Sequence, residues 1–166
     1  NAYFRNNDYE KAFEIAKSFL DREPKNSRFN ILLGNIYTKK GEYEVAAKYL
    51  AKGMNREPIK AMCNNHISYQ LLTYDDEAEN RPIIALSYAF LASEETQQKV
   101  ADVEDTLGLA YFKTNDLENA KATQERAVKL LRDELPPEQK ERSTKLMGFK
   151  KQLLKYEDAL KIQLNN

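Results

Sequence analysis

Tryptophan is absent from this 166-residue chain, and cysteine and histidine occur once each, as Cys63 and His66. A single thiol excludes an intrachain disulfide, so packing alone must hold the fold. One Cys and one His fall short of the four ligands of a structural zinc site, and neither a metal nor a cofactor is expected. Glycine and proline are scarce, at five each, which excludes collagen-like and Gly/Pro-rich disordered chains. An excess of one charge is missing too. The 26 Lys and Arg are balanced by 26 Asp and Glu, so no global field draws the chain to nucleic acid or anionic lipid. No apolar run approaches bilayer-spanning length, and no signal peptide is visible. Cysteine usage leaves the compartment open between bacterial cytoplasm and periplasm.

Catalytic signatures are equally sparse. The chain contains no P-loop, nucleotide-binding Gly-rich turn or serine elbow. Cys63 and His66 stand three apart on one expected helix; the plainer reading is a small buried thiol beside a partly exposed imidazole. Asp75, Asp76, Glu77 and Glu79 lack the alternating spacing and internal Gly of a calcium loop and read as a solvated acidic loop. Most of the ten tyrosines (Tyr3, Tyr9, Tyr37, Tyr43 and Tyr111 among them) fall where hairpins pack, so they are assigned to cores rather than to base stacking. The chain is therefore expected to be a non-enzyme with no catalytic residues.

What the sequence does contain is periodicity. Ala12-x-x-x-Ala16 followed by Pro24 recurs as Ala46-x-x-x-Leu50 followed by Pro58, an offset of 34 residues at both landmarks. A fixed period of that length marks stacked two-helix units. The clearest copy reads Asn30-x-x-Leu33-Gly34-x-x-Tyr37, then Gly41, Ala46, Leu50 and Pro58. Leu33 and Tyr37 share a helix face. Gly34 and Ala46 are small where two helices must approach. Gly41 suits a left-handed exit from the first helix, Glu42 favours the next helix start, and Pro58 is expected to end the unit. A further copy runs Leu107-Gly108-x-x-Tyr111, Asn115-Asp116, Ala120. Asn115 takes the turn position, and Gln124 stands where a bulky apolar residue is usual.

These motifs resemble the tetratricopeptide repeat, in which the first slot is often Trp. The resemblance covers about residues 1–132 and implies an all-α fold, an α-α superhelix of helical hairpins. Repeats are expected near 1–26 (truncated), 27–60, 61–100 and 101–134. The third is divergent: Asn64, Ile67, Ser68 and Leu71 keep register, as do Ala85, Ala89 and Ala92. Five extra residues lengthen its turn, and Pro82 opens the following helix. Beyond Pro136-Pro137 a capping helix of the same domain is expected over 137–164. Leu146, Phe149, Leu153, Tyr156 and Leu160 form its apolar seam. Its seven Lys and Arg against four acids give that segment a net +3, read as a capping helix with a solvated basic back.

The family likeness implies a non-catalytic scaffold that binds a peptide or partner helix in a concave groove lined by the first helices of successive hairpins. Matched positions give Phe4, Arg5, Arg28, Ile31, Asn35, Thr38, Lys39, Met62, Asn65, Tyr69, Leu72, Thr73, Asp102, Asp105, Leu109, Phe112 and Lys113. Cations dominate the early end, so the acidic part of a partner is expected near Arg5, Arg28 and Lys39. Some relatives clamp a C-terminal carboxylate with Lys, Asn and Arg; Asn35 matches one element, but Asp102 stands where a cation is needed. Two alternatives stay open. The chain begins mid-motif with Asn1, which suggests the C-terminal segment of a larger bacterial multidomain enzyme, as the run Asp105-Thr106-Leu107-Gly108 also resembles. The terminal helix offers a seam for a homodimer, as an oligomerisation module.

Overall fold

Helix after helix is fixed by local chemistry. The computed structural model describes residues 9–74 and 80–165. These form eight α-helices and no strand: α1 (Tyr9–Arg22), α2 (Ser27–Lys40), α3 (Tyr43–Gly53), α4 (Ile59–Leu72), α5 (Pro82–Glu95), α6 (Ala101–Lys113), α7 (Leu117–Glu134) and α8 (Thr144–Leu164). Side-chain caps start three of them. Asn26 accepts from the Phe29 N–H, Asp116 from Asn119 and Ser143 from Leu146, each relieving one orphan donor of a first turn. Pro82 occupies the first turn of α5, where its missing N–H costs nothing.

The architecture is a solenoid of antiparallel hairpins. Helices α2 and α3 pair, as do α4 and α5, and α6 and α7; α1 packs on α2, and α8 on α7. Gly41 ends α2 at φ +82°, and its backbone N–H bonds back to Thr38 O. A side chain there would sit in a region that L residues resist. Asn115 does the same work at φ 63° between α6 and α7. Within the α2–α3 hairpin, a Cβ on Gly34 would lie 2.6 Å from Leu50 Cδ2, so the helices pack backbone to side chain.

The cores follow the expected register. Leu33, Ala46, Leu50, Ile67, Leu71, Ala85, Ala89 and Leu107 are buried. Tyr37 is held between Phe13, edge-on at 5.8 Å, and Tyr49, stacked at 5.4 Å. Cys63 is buried in the main core, where desolvation pushes its thiol upward and keeps it protonated. At the far end, Leu146, Phe149 and Tyr156 of α8 are buried against the last hairpin.

Pro58 stands between its unit and the next: α3 stops at Gly53, and Pro58 is the N-cap of α4, where a fixed φ suits helix entry. One expectation needs correction. The terminal segment is not helical from 137. Pro137–Gln139 forms a single 3-10 turn, and the α-helix waits for the Ser143 cap. Residues Tyr3, Phe4, Arg5, Asn7 and Asp8 of the truncated repeat, and Asp75 through Glu79 of the acidic insertion, lie outside the described residues.

Candidate functional site

The first helices of the hairpins touch one another directly, α2 on α4 and α4 on α6, and so share one side of the array. Between them runs a trough of about 550 Å³. Ile31 of α2, Met62, Asn65, His66 and Tyr69 of α4, and Asp102, Asp105 and Thr106 of α6 line it. A second hollow of about 370 Å³ continues it toward the end of the array. There Tyr69, Thr73, Asp105 and Leu109 meet Lys145, Gly148, Phe149 and Gln152 of α8. Tyr69 and Asp105 border both.

Polar groups in the trough are largely matched to one another. His66 Nε2 lies 2.6 Å from Asn35 Oδ1. Burial holds the imidazole below its ordinary pKa, so the ring is neutral near pH 7 and donates from Nε2. Asp102 accepts from both Arg56, at 3.3 Å, and Lys145 Nζ, at 2.5 Å, tying the loop before α4 to α6 and α8. These ends are substantially exposed, so each contributes at most about 1 kcal/mol. Asp105 Oδ1 accepts from Gln124 Nε2 at 2.7 Å, and the same amide reaches Phe149 O at 3.2 Å. Desolvation raises the Asp105 pKa, and Asp102 adds to the rise; the Gln124 hydrogen bond and the Lys145 charge oppose it.

The positions singled out in the sequence divide into three groups. Ile31, Asn65, Tyr69, Asp102 and Asp105 meet in the trough, and Leu109 joins the second hollow. Arg28 is exposed on the first turn of α2, while Asn35 is taken up by His66. Others are engaged elsewhere. Lys39 donates to Tyr9 OH at 2.5 Å and sits 4.3 Å above the same ring. Leu72, 2% exposed, continues the core stripe of Ser68 and faces away from the trough. Thr38 is buried and bonds Gly34 O. Phe112 stacks on Tyr156 at 4.6 Å, so α8 covers it. Arg5 lies outside the described residues.

Sequence reasoning missed Arg56, His66, Lys145 and Gln152 as lining residues. Arg56 comes from a loop and the α8 pair from a helix assigned to capping or dimerisation rather than to the groove. Gln124 did leave a signal, a polar residue in an apolar slot, and burial with two hydrogen bonds explains it. Glu104 is also fully buried. Ser93 Oγ donates to its Oε1 at 2.5 Å and Arg126 Nε to its Oε2 at 2.6 Å, so α5, α6 and α7 share one polar network. Among the described residues, no three His, Cys, Asp or Glu side chains cluster as metal ligands.

Two family models agree with this repeat architecture. A tetratricopeptide repeat model matches residues 3–58 and a second tetratricopeptide repeat model matches residues 105–133, together just over half of the chain. No curated protein matches. A solved structure described as the crystal structure of MamA protein is 19% identical, with a TM-score of 0.47, over 95% of this chain and 84% of that one.

Proposed function

Because the chain belongs to the tetratricopeptide repeat family, generally a non-catalytic interaction fold that serves as a protein-protein scaffold, we propose that its trough holds an extended peptide or a partner helix. The observation that carries this reading is the composition of the 550 Å³ trough. Ile31, Met62 and Tyr69 offer apolar contact area, and Asn65 and Asp105 stand among them to orient a main chain. Tyr69 is 47% exposed at the junction of both hollows, the position of an aromatic anchor. Arg28 supplies the cation at the early end. Lys39 serves there only indirectly, since Tyr9 already holds its ammonium.

Selection of a displayed peptide library on the intact protein tests this. Tyr69→Ala is expected to weaken the enriched peptides by roughly thirtyfold, the effect of losing an interface anchor, with helicity unchanged by circular dichroism. Arg28→Glu is expected to reduce binding of acidic peptides in particular. Equal binding by Tyr69→Ala, or no enrichment, would remove the trough from consideration as the recognition surface.

A further inference from the structure

Helix α8 closes the array with one face and leaves the opposite face in water. Leu146, Phe149 and Tyr156 point inward and are buried. On the outer face, Met147, Leu154 and Ile162 follow one another at spacings of seven and eight residues. Successive residues turn by about 100°, so Met147 and Leu154 fall about 20° apart, and Ile162 lies about 80° around from Leu154; the three make a stripe on the outer side. They are 51%, 59% and 64% exposed, and the stripe runs about 22 Å along the helix. By the same geometry Lys150 and Lys161 border the stripe on one side, and on the other Lys151 and Lys155 stand to either side of the direction of Ile162. Lys155 leans over the Phe112 ring at 4.6 Å. Asp158 is the acid within this face, 3.3 Å from Lys161, and half-buried Glu157 stands at its edge. The whole chain has a formal charge of +0, so this cationic surface is local.

We propose that the outer face of α8 docks in the plane of an anionic membrane surface. An apolar stripe with lysines beside and among its side chains matches the interface of such a bilayer. The stripe enters the boundary of the acyl chains, the lysine stems lie beside it, and the ammonium groups reach the headgroup phosphates. A protein partner would need a surface shaped to this stripe, with acids placed to meet each lysine; a fluid bilayer takes that shape without prior design. No helix among the described residues is long and apolar enough to cross a membrane, so the contact is peripheral. The docking face lies opposite the inner face of α8, which leaves the trough open to a partner.

Co-sedimentation of the full chain with phosphatidylserine-containing vesicles tests the proposal, with pure phosphatidylcholine vesicles as the neutral arm. Binding is expected to the anionic vesicles, to fall steeply with added salt, and to be at least about tenfold weaker on neutral ones. Lys150→Glu with Lys151→Glu is expected to lower it about twentyfold or more, two lysines each contributing near fivefold at the surface. Met147→Ser with Leu154→Ser must also weaken it, since the stripe enters the bilayer. All four side chains are exposed, so circular dichroism should be unchanged in both variants. The proposal is overturned if anionic vesicles do not sediment the protein, if neutral vesicles serve equally, or if the stripe variant binds as well as the parent. Retention on polyglutamate without vesicle binding would assign the face to an acidic protein and overturn it too.

Discussion

Asp105 concentrates the chemistry of the trough in one side chain. Burial favours its neutral form, so its folded pKa lies above the ordinary 3.8. The sign follows by linkage: the folded state is favoured by this group below pH 3.8, and the advantage is lost as pH rises through the raised value. Asparagine at 105 copies the protonated form and keeps an acceptor for Gln124. Asp105→Asn is therefore expected to be more stable than the parent at pH 7, with the difference closing as pH falls toward 3. Thermal midpoints of both proteins across that range check it, and a less stable variant at pH 7 would contradict it. Asp105 was legible in the sequence as a groove position, because its offset from Leu107 and Gly108 is a matter of helical register. Its half-buried state was not, since that depends on Gln124 and Phe149, respectively 19 and 44 positions away.

At the scale of elements, helices and turns were the most readable part of the molecule. Gly41 and Asn115 announce left-handed turns because few other residues adopt them at low cost. Alternation of three and four in the seam of α8 announces which side it buries. Boundaries were harder. Pro58 reads as the close of a unit, yet α3 stops earlier, at Gly53, and α4 starts directly after the proline. Tyr156 gives the measure of how firmly α8 is attached. Its ring is fully buried against Phe112, and Gln152 donates to its hydroxyl at 2.7 Å. Tyr156→Ala is expected to cost about 3–5 kcal/mol in chemical denaturation, in line with other large aromatic truncations. Tyr156→Phe, which loses one hydrogen bond, should cost near 1 kcal/mol. Equal losses from both would mean that the hydroxyl, rather than the ring, anchors the helix.

For the whole molecule, an array of this kind is held by contacts between neighbours, and each seam has its own strength. The seam between the third and fourth hairpins contains the Ser93–Glu104–Arg126 network. Arg126→Met leaves a fully buried carboxylate without its cation and is expected to destabilise the protein on the order of 3 kcal/mol. Pairing it with Glu104→Gln should restore part of that loss, and urea titrations of the three proteins would show it. A double variant weaker than either single one would count against a buried pair that acts as a unit. None of this network was legible, because Glu104 sits among acids on a helix that looks exposed in one dimension.

The second hairpin carries a different kind of fastening. Its chain is joined at one end by the turn at Gly41, and at the other Ser27 Oγ grips Gly53 O across α2 and α3. Two rods tied at both tips resist splaying more than a pair joined by its turn alone, by about 1 kcal/mol for the one added bond. Ser27 and Gly53 also border the trough, so this clasp steadies the early rim of the channel.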